Sequence, residues 1–403
     1  MVTKKINKVI LGHSLPATIY VLVYTLYTVT FSFHLGLNLI RLSYVVFYAM
    51  SVWYFFRSFG YWNKSSFIRA LTMMFGLVMT YCAFLLLDRS PRLMHDITPL
   101  SYTLLYVASI LPIYVFYYFG RRKMLTVVWF QIIAILFCLN AYALYYENQL
   151  AIMDKLLIDE GAIQTNNSGY IIVSLLPLIA FFNKRVSTQY VGIVLILIST
   201  IMCFKRGAVI IGVIAVTYYF YNMVKMPSTS RKLIVLVFGA ASAVFLYMYL
   251  DNLFLTNDYF YQRVMLTYEG DSSGRDGLFG KIWVYILENE SVVELLLGGG
   301  AAATVELFGI EAHNDWLEFA IDFGMLGIVL YVFYWVTSYK YFRYAKKRLP
   351  ESIVMAMGMV LLMNFVRSFF SMSFIDMTFM SSSIIGYTMS CVDTFKHEGE
   401  LIC

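Results

Sequence analysis

Apolar residues along this chain gather in long runs, and charged residues sit almost entirely between them. Twelve runs approach the ~20 residues that a helix needs to cross a hydrocarbon core. They lie near 15–34, 37–56, 69–87, 99–119, 124–146, 168–183, 188–204, 207–224, 233–250, 316–336, 352–370 and 376–392. The pattern predicts an all-α, polytopic membrane protein with about twelve transmembrane helices. Residues 1–403 read as a single transmembrane domain, and the one long connection outside a span is 251–314. That loop has a helical pattern of its own. Leu278, Phe279, Ile282, Trp283 and Ile286 recur at helical spacing after a capping-box-like Ser273 and Asp276, and a second run from Val292 to Leu297 ends at Gly298-Gly299-Gly300. It reads as an amphipathic element lying on the membrane, and no separate domain is expected there.

Composition narrows the class. The chain is 60% hydrophobic and 13% charged, against about half apolar and about a quarter charged for an ordinary soluble domain. A soluble enzyme, a disordered chain and a secreted disulfide scaffold are excluded. Four of the five cysteines (Cys82, Cys138, Cys203, Cys391) lie in apolar runs and Cys403 is terminal; no Cys-x-x-Cys or Cys/His spacing suggests zinc. Lys4, Lys5 and Lys8 precede an apolar run with no small-residue cleavage site, so the run reads as a retained first span.

The net charge of +6 changes meaning once it is divided by side. With the amino end in the cytoplasm and spans alternating, 20 of 30 basic residues but only 4 of 24 acidic residues fall inside, giving +16 inside (20 − 4) and −10 outside (10 − 20). The positive-inside rule then places both termini in the cytoplasm, and the basic total implies no nucleic-acid partner. This parity requires an outward turn at Lys205-Arg206. Fusing the flanking runs would bury both cations near mid-bilayer, at roughly 2.5–3.5 kcal/mol each.

Three outer-face places have residues suited to chemistry: Lys205-Arg206-Gly207, Ser273-Gly274-Arg275-Asp276, and His313-Asn314-Asp315-Trp316-Leu317-Glu318 before the tenth span. Arg206 and Arg275 are forked cations suited to phosphate, Arg275 at a helix start where amide groups also favour anions. His313 also precedes a helix, whose dipole favours the neutral imidazole that a general base requires. Arg367, an ionisable residue in the outer half of span eleven, is functional by default. Each has a plain alternative. Arg206 also reads as a snorkelling cation, Arg275 as a surface arginine and His313 as a hydrated interfacial histidine. Gly324 and Gly327 read as helix-packing positions. Gly270-Asp271-Ser272-Ser273-Gly274 matches a nucleophile-elbow pattern by chance, with no strand before it.

The run His313-Asn314, nine residues, Gly324, two residues, Gly327 resembles the signature H-N-x9-G-x-x-G of the bacterial O-antigen ligase and polymerase family. Ser273-Gly274-Arg275 before an amphipathic helix with Trp283 and a glycine run is also similar, as is Lys205-Arg206-Gly207-Ala208, where the family often has Ser-Arg-Gly-Ala. The resemblance covers about 200–330. It implies an integral-membrane glycosyltransferase of the GT-C class in the bacterial inner membrane, with its active site facing the periplasm. The implied donor is a glycan on undecaprenyl pyrophosphate; the acceptor is a hydroxyl of a lipid-linked repeat unit or of lipid A-core. His313 would take the acceptor proton while Arg206 and Arg275 hold the pyrophosphate. Arg367, Lys205, Asn314 and Asp315 complete the implied substrate-binding set, with Asn314 and Asp315 also orienting His313; Arg263 and Lys281 are secondary. No metal or cofactor is expected, and a chain-length regulator is an implied partner. Polymerase is preferred over ligase because no loop holds a large soluble module and the chain is aromatic-rich, with 33 Tyr and 33 Phe. A transporter or flippase of lipid-linked glycan predicts mid-membrane charges and internal repeats, and neither is visible.

Overall fold

The computed structural model describes residues 14–87, 98–158, 165–182, 186–225, 229–268 and 275–399, and among them every regular element is helical. In chain order these are α1 (Leu15–Ser32), α2 (Leu37–Ser58), α3 (Ser66–Leu87), α4 (Pro99–Arg121), α5 (Val127–Ile158), α6 (Gly169–Val173), α7 (Leu176–Ile179), α8 (Val186–Met202) and α9 (Arg206–Val224). There follow α10 (Thr229–Thr256), α11 (Asp258–Tyr268), α12 (Arg275–Glu288), α13 (Val292–Leu297), α14 (Ala303–Phe308), α15 (Asp315–Arg348), α16 (Glu351–Arg367) and α17 (Phe379–Glu398). Seven are long and apolar enough to cross a membrane: α1, α2 with the 3-10 turn that continues it, α3, α4, α5, α9 and α15. The chain is a polytopic helical membrane protein.

The other five apolar runs fall on helices of different character. The run 168–183 is broken into α6, α7 and a 3-10 turn. Pro177 lacks an N–H and its ring crowds the carbonyl four residues earlier, at Val173, where α6 ends. Helices α8 and α16 have 17 residues each. Helix α17 is buried on all sides from Phe379 to Thr394, which explains its small and hydroxylated residues. In lipid, helices associate by close packing, and small side chains permit it. Ser383, Thr388 and Ser390 return their hydroxyls to carbonyls of their own helix, while Ser382 reaches the Ser109 carbonyl on α4.

Helix α15 bears a tight local constraint. It kinks at Gly324, whose φ is 62°. The carbonyls of Ile321 and Asp322 are taken by Gly299 N–H at 2.8 Å and Gly300 N–H at 3.0 Å. A Cβ on Gly324 would lie 2.5 Å from Gly298 N, and one on Gly298 would lie 2.4 Å from the Asp322 carbonyl oxygen. Gly324 is therefore the kink and the seat of the glycine run, which replaces its reading as a simple packing position. The loop element behaves partly as expected. Helices α12 and α13 form, and Ile282 is buried against Ala303, Ala312, Leu317 and Ile321, whereas Trp283, Leu287 and Val292 stay exposed. Helices α11 and α14 were not anticipated. Ser273, Gly274 and the Gly270–Gly274 pattern lie outside the described residues, as do Lys4, Lys5 and Lys8.

Candidate functional site

Asp315, Glu318 and Asp322 recur at spacings of three and four, so they share one face of α15. All three are fully buried. Each carboxylate fixes a different loop. Asp315 accepts from Ser373 N at 2.9 Å, Ser373 Oγ at 2.7 Å, Phe374 N at 3.1 Å and Tyr331 OH at 2.8 Å. Glu318 Oε2 accepts from Ala312 N at 2.8 Å. Asp322 accepts from Ala302 N, Thr304 N and Thr304 Oγ1, each at 3.0 Å, and from Tyr102 OH at 2.9 Å. A buried carboxylate is tolerated when such donors replace its water.

Two of these anchored loops hold non-glycine residues in the left-handed region. Ala302 has φ 67° and His313 has φ 52°; Phe204, just before Lys205, has φ 50°. Each costs on the order of 1–3 kcal/mol and persists only where its surroundings over-determine it. For His313 the constraint is visible on both sides. The preceding Ala312 N–H is held by Glu318, and the following Asn314 caps α15 by accepting from Trp316 N and Leu317 N. The imidazole pKa is lowered to about 4, first by burial and then by the charges of Arg275 and Lys205. It is therefore neutral at pH 7. Glu311, two residues away, is raised by burial and by the carboxylates of Asp376 and Asp322.

The connection from α16 to α17 collects the remaining candidates. The Ser368 carbonyl accepts from Asp315 N at 2.9 Å, the Phe369 carbonyl from Asn314 Nδ2 at 2.9 Å, and the Phe370 carbonyl from Arg275 Nη1 at 2.7 Å. Lys205 donates from Nζ to Asn167 Oδ1 at 2.7 Å and lies 5.7 Å from the Tyr170 ring centroid. Arg367 lies over the same ring at 4.3 Å, and its guanidinium grips Asp376 through the carbonyl at 2.9 Å and the carboxylate at 2.5 Å. Gly207 approaches closely too, since a Cβ there would lie 2.3 Å from Tyr170 OH. The structure thus brings His313, Arg275, Lys205, Asn314 and Arg367 to one cluster around Tyr170 and segment 368–376.

Two residues differ from the roles given to them by sequence. Asp315 is saturated by four hydrogen bonds and sealed from solvent, so it anchors a loop. Arg367 is buried and neutralised by Asp376, which makes it a strut. Arg206 is the first residue of α9 and borders a groove of about 450 Å³ walled by Phe204, Val209, Ile210, Leu250, Phe260 and Val264. A cation at the edge of an apolar groove suits an amphiphile with an anionic head. Among the described residues no group of three His, Cys, Asp or Glu side chains is arranged for a metal ion.

Tyr170, Asn167 and Asp322 were missed from sequence. Asp322 had a signal, because three carboxylates on one face of an apolar helix demand partners. Tyr170 had none among so many tyrosines. In comparison with known proteins, the chain matches no family model and no curated relative.

Proposed function

We propose that the chain is a GT-C-type glycosyltransferase with twelve spans, which polymerises undecaprenyl-pyrophosphate-linked repeat units at the periplasmic face of the bacterial inner membrane. The observation that carries this reading is the neutral His313 held in a strained turn with Arg275 and Lys205 as its charged neighbours. A base that stays unprotonated beside fixed cations suits attack of a hydroxyl on a sugar bearing a diphosphate leaving group.

In the proposed step the acceptor oxygen attacks the anomeric carbon of the donor glycan, and its proton passes to His313. The bond from anomeric carbon to phosphate oxygen breaks, and the lipid pyrophosphate leaves with the electron pair. Arg275 and Arg206 stabilise the charge that grows on the leaving group. The polyprenyl tail lies in the apolar groove beside Arg206. The lost proton returns to water, and His313 is neutral again. The resemblance of 200–330 to O-antigen ligases and polymerases supports the donor class.

The test uses purified protein in nanodiscs with lipid-linked glycan and no energy source. Release of undecaprenyl pyrophosphate and growth of the glycan are expected. H313N, which tolerates the left-handed backbone, should stop both. Full activity in that variant, or transport of the glycan without release, would overturn the reading. Gene deletion separates the acceptors: losing a polymerase leaves core bearing a single repeat, whereas losing a ligase leaves bare core.

A further inference from the structure

A second cavity, of about 270 Å³, lies among α1, α2, α4 and α5 and is closed by the start of α17. Its walls combine the rings of Tyr24, Tyr27 and Tyr48 with the polar groups of Ser109, Asn140 and Ser174, and exposed Asp376 also lines it. It is smaller than the ~300 Å³ at which drug-sized sites begin. Tyr24 is held flat against Phe379, with ring centroids 3.7 Å apart.

Asn140 is the informative residue. It is 4% exposed and lies in the apolar interior of α5. Its Nδ2 donates to Thr25 Oγ1 at 3.2 Å. Thr25 spends its own proton on the Val21 carbonyl, so the threonine oxygen can only accept here and the amide orientation follows. Asn140 Oδ1 is left buried with no hydrogen-bond partner among the described residues. An unmet acceptor of this kind costs about 1–3 kcal/mol, which a ligand hydroxyl in the adjoining cavity would recover once the Asn140 side chain turns its oxygen towards it.

Position then narrows the ligand. Helix α6 and the turn after it divide this cavity from the groove at Arg206. Gly169 packs towards Cys203, Lys205 and Ala208, whereas Ile171, Ser174 and Leu175 line the cavity. The cavity meets the cluster through Asp376, which is gripped by Arg367 and bears on Glu311, two residues before His313. Flat aromatic walls with sparse hydroxyl and amide groups suit a ring that has both apolar faces and hydroxyl edges.

We propose that this cavity is a carbohydrate subsite that holds one sugar ring of the acceptor glycan, with Asn140 Oδ1 accepting a ring hydroxyl. Sugar binding stands on the cavity itself, and only the assignment to the acceptor rests on the transferase reading.

The experiment is saturation-transfer NMR on the full chain in nanodiscs, with glucose, galactose, rhamnose and N-acetylglucosamine as probes. At least one sugar should receive saturation from wild type and from H313N. The transfer should vanish in A108F, which fills the cavity from α4, and in N140L, which removes the acceptor; size exclusion confirms that each variant is folded. In turnover, N140L should raise the KM for acceptor about tenfold, the worth of one hydrogen bond. Transfer to no sugar, or equal transfer in both cavity variants, overturns the subsite. An active H313N with sugar-dependent transfer that A108F abolishes overturns the transferase reading and leaves the subsite standing.

Discussion

Two buried aspartates at opposite ends of the bundle solve the same problem in different ways. At the end rich in Lys340–Arg348, Asp393 accepts from Tyr117 OH at 2.8 Å and Tyr341 OH at 2.7 Å. These partners are side chains on α4 and α15, so the aspartate ties helix to helix. At the His313 end, Asp315 accepts instead from two backbone N–H groups and a serine hydroxyl of one loop, besides Tyr331. The same chemistry thus holds a scaffold at one end and places a loop at the other. That loop presents the carbonyls that hold Asn314 and Arg275. A buried carboxylate is evidence of function only when its partners are backbone groups of a working segment.

Four substitutions test this contrast, in decreasing order of effect. H313N leaves both aspartate networks intact and should lower turnover by about 10²–10⁴-fold, the usual worth of a general base, with thermal unfolding in detergent unchanged. D315A strands two buried N–H groups and two hydroxyls; at about 1–3 kcal/mol for each unsatisfied group, it should lower the unfolding temperature and also the turnover per folded molecule. If D315A lost stability alone, the loop would not be a working part. G324A meets both a left-handed φ and the glycine run, and should cost about 1–3 kcal/mol, measured as lowered thermal stability with loosened protease protection at 298–304. D393N keeps one acceptor oxygen and should lower stability modestly while turnover per folded molecule holds; a loss of turnover matching that of D315A would erase the distinction.

The pH dependence sharpens the same end. His313 is lowered to about 4 from an ordinary 6.5, so the base remains neutral as pH falls through 6.5 and is protonated only near 4. The acid limb of kcat/KM should lie near pH 4, and R275Q should move it upward by removing one repelling charge. A limb near 6.5 in wild type would show that the ring is neither buried nor crowded by cations. The unfolded chain takes up this proton first, so the corresponding stability is complete above pH 6.5 and is lost as pH falls toward 4.

Much of the architecture was legible because bilayer thickness acts on local sequence. Run lengths and loop charge predict helices without knowledge of their neighbours, although the run 168–183 reads as one span and is broken at Pro177. The cations Lys205, Arg206 and Arg275 and the histidine were also visible, as chemistry out of place among apolar runs. What sequence could not show is which of them are already engaged. Arg367 looked like a ligand for anions until Asp376 was found against it, and Asp315 looked like an orienting partner until its four donors were counted. The cavity at Asn140 needed six separate segments to meet. Run length and charge are properties of a segment, so sequence by itself determined an all-helical membrane chain and a short roster of candidate groups. Burial and hydrogen-bond saturation are properties of distant pairs, such as Asp315 with Ser373, and only tertiary structure decided which groups hold the frame.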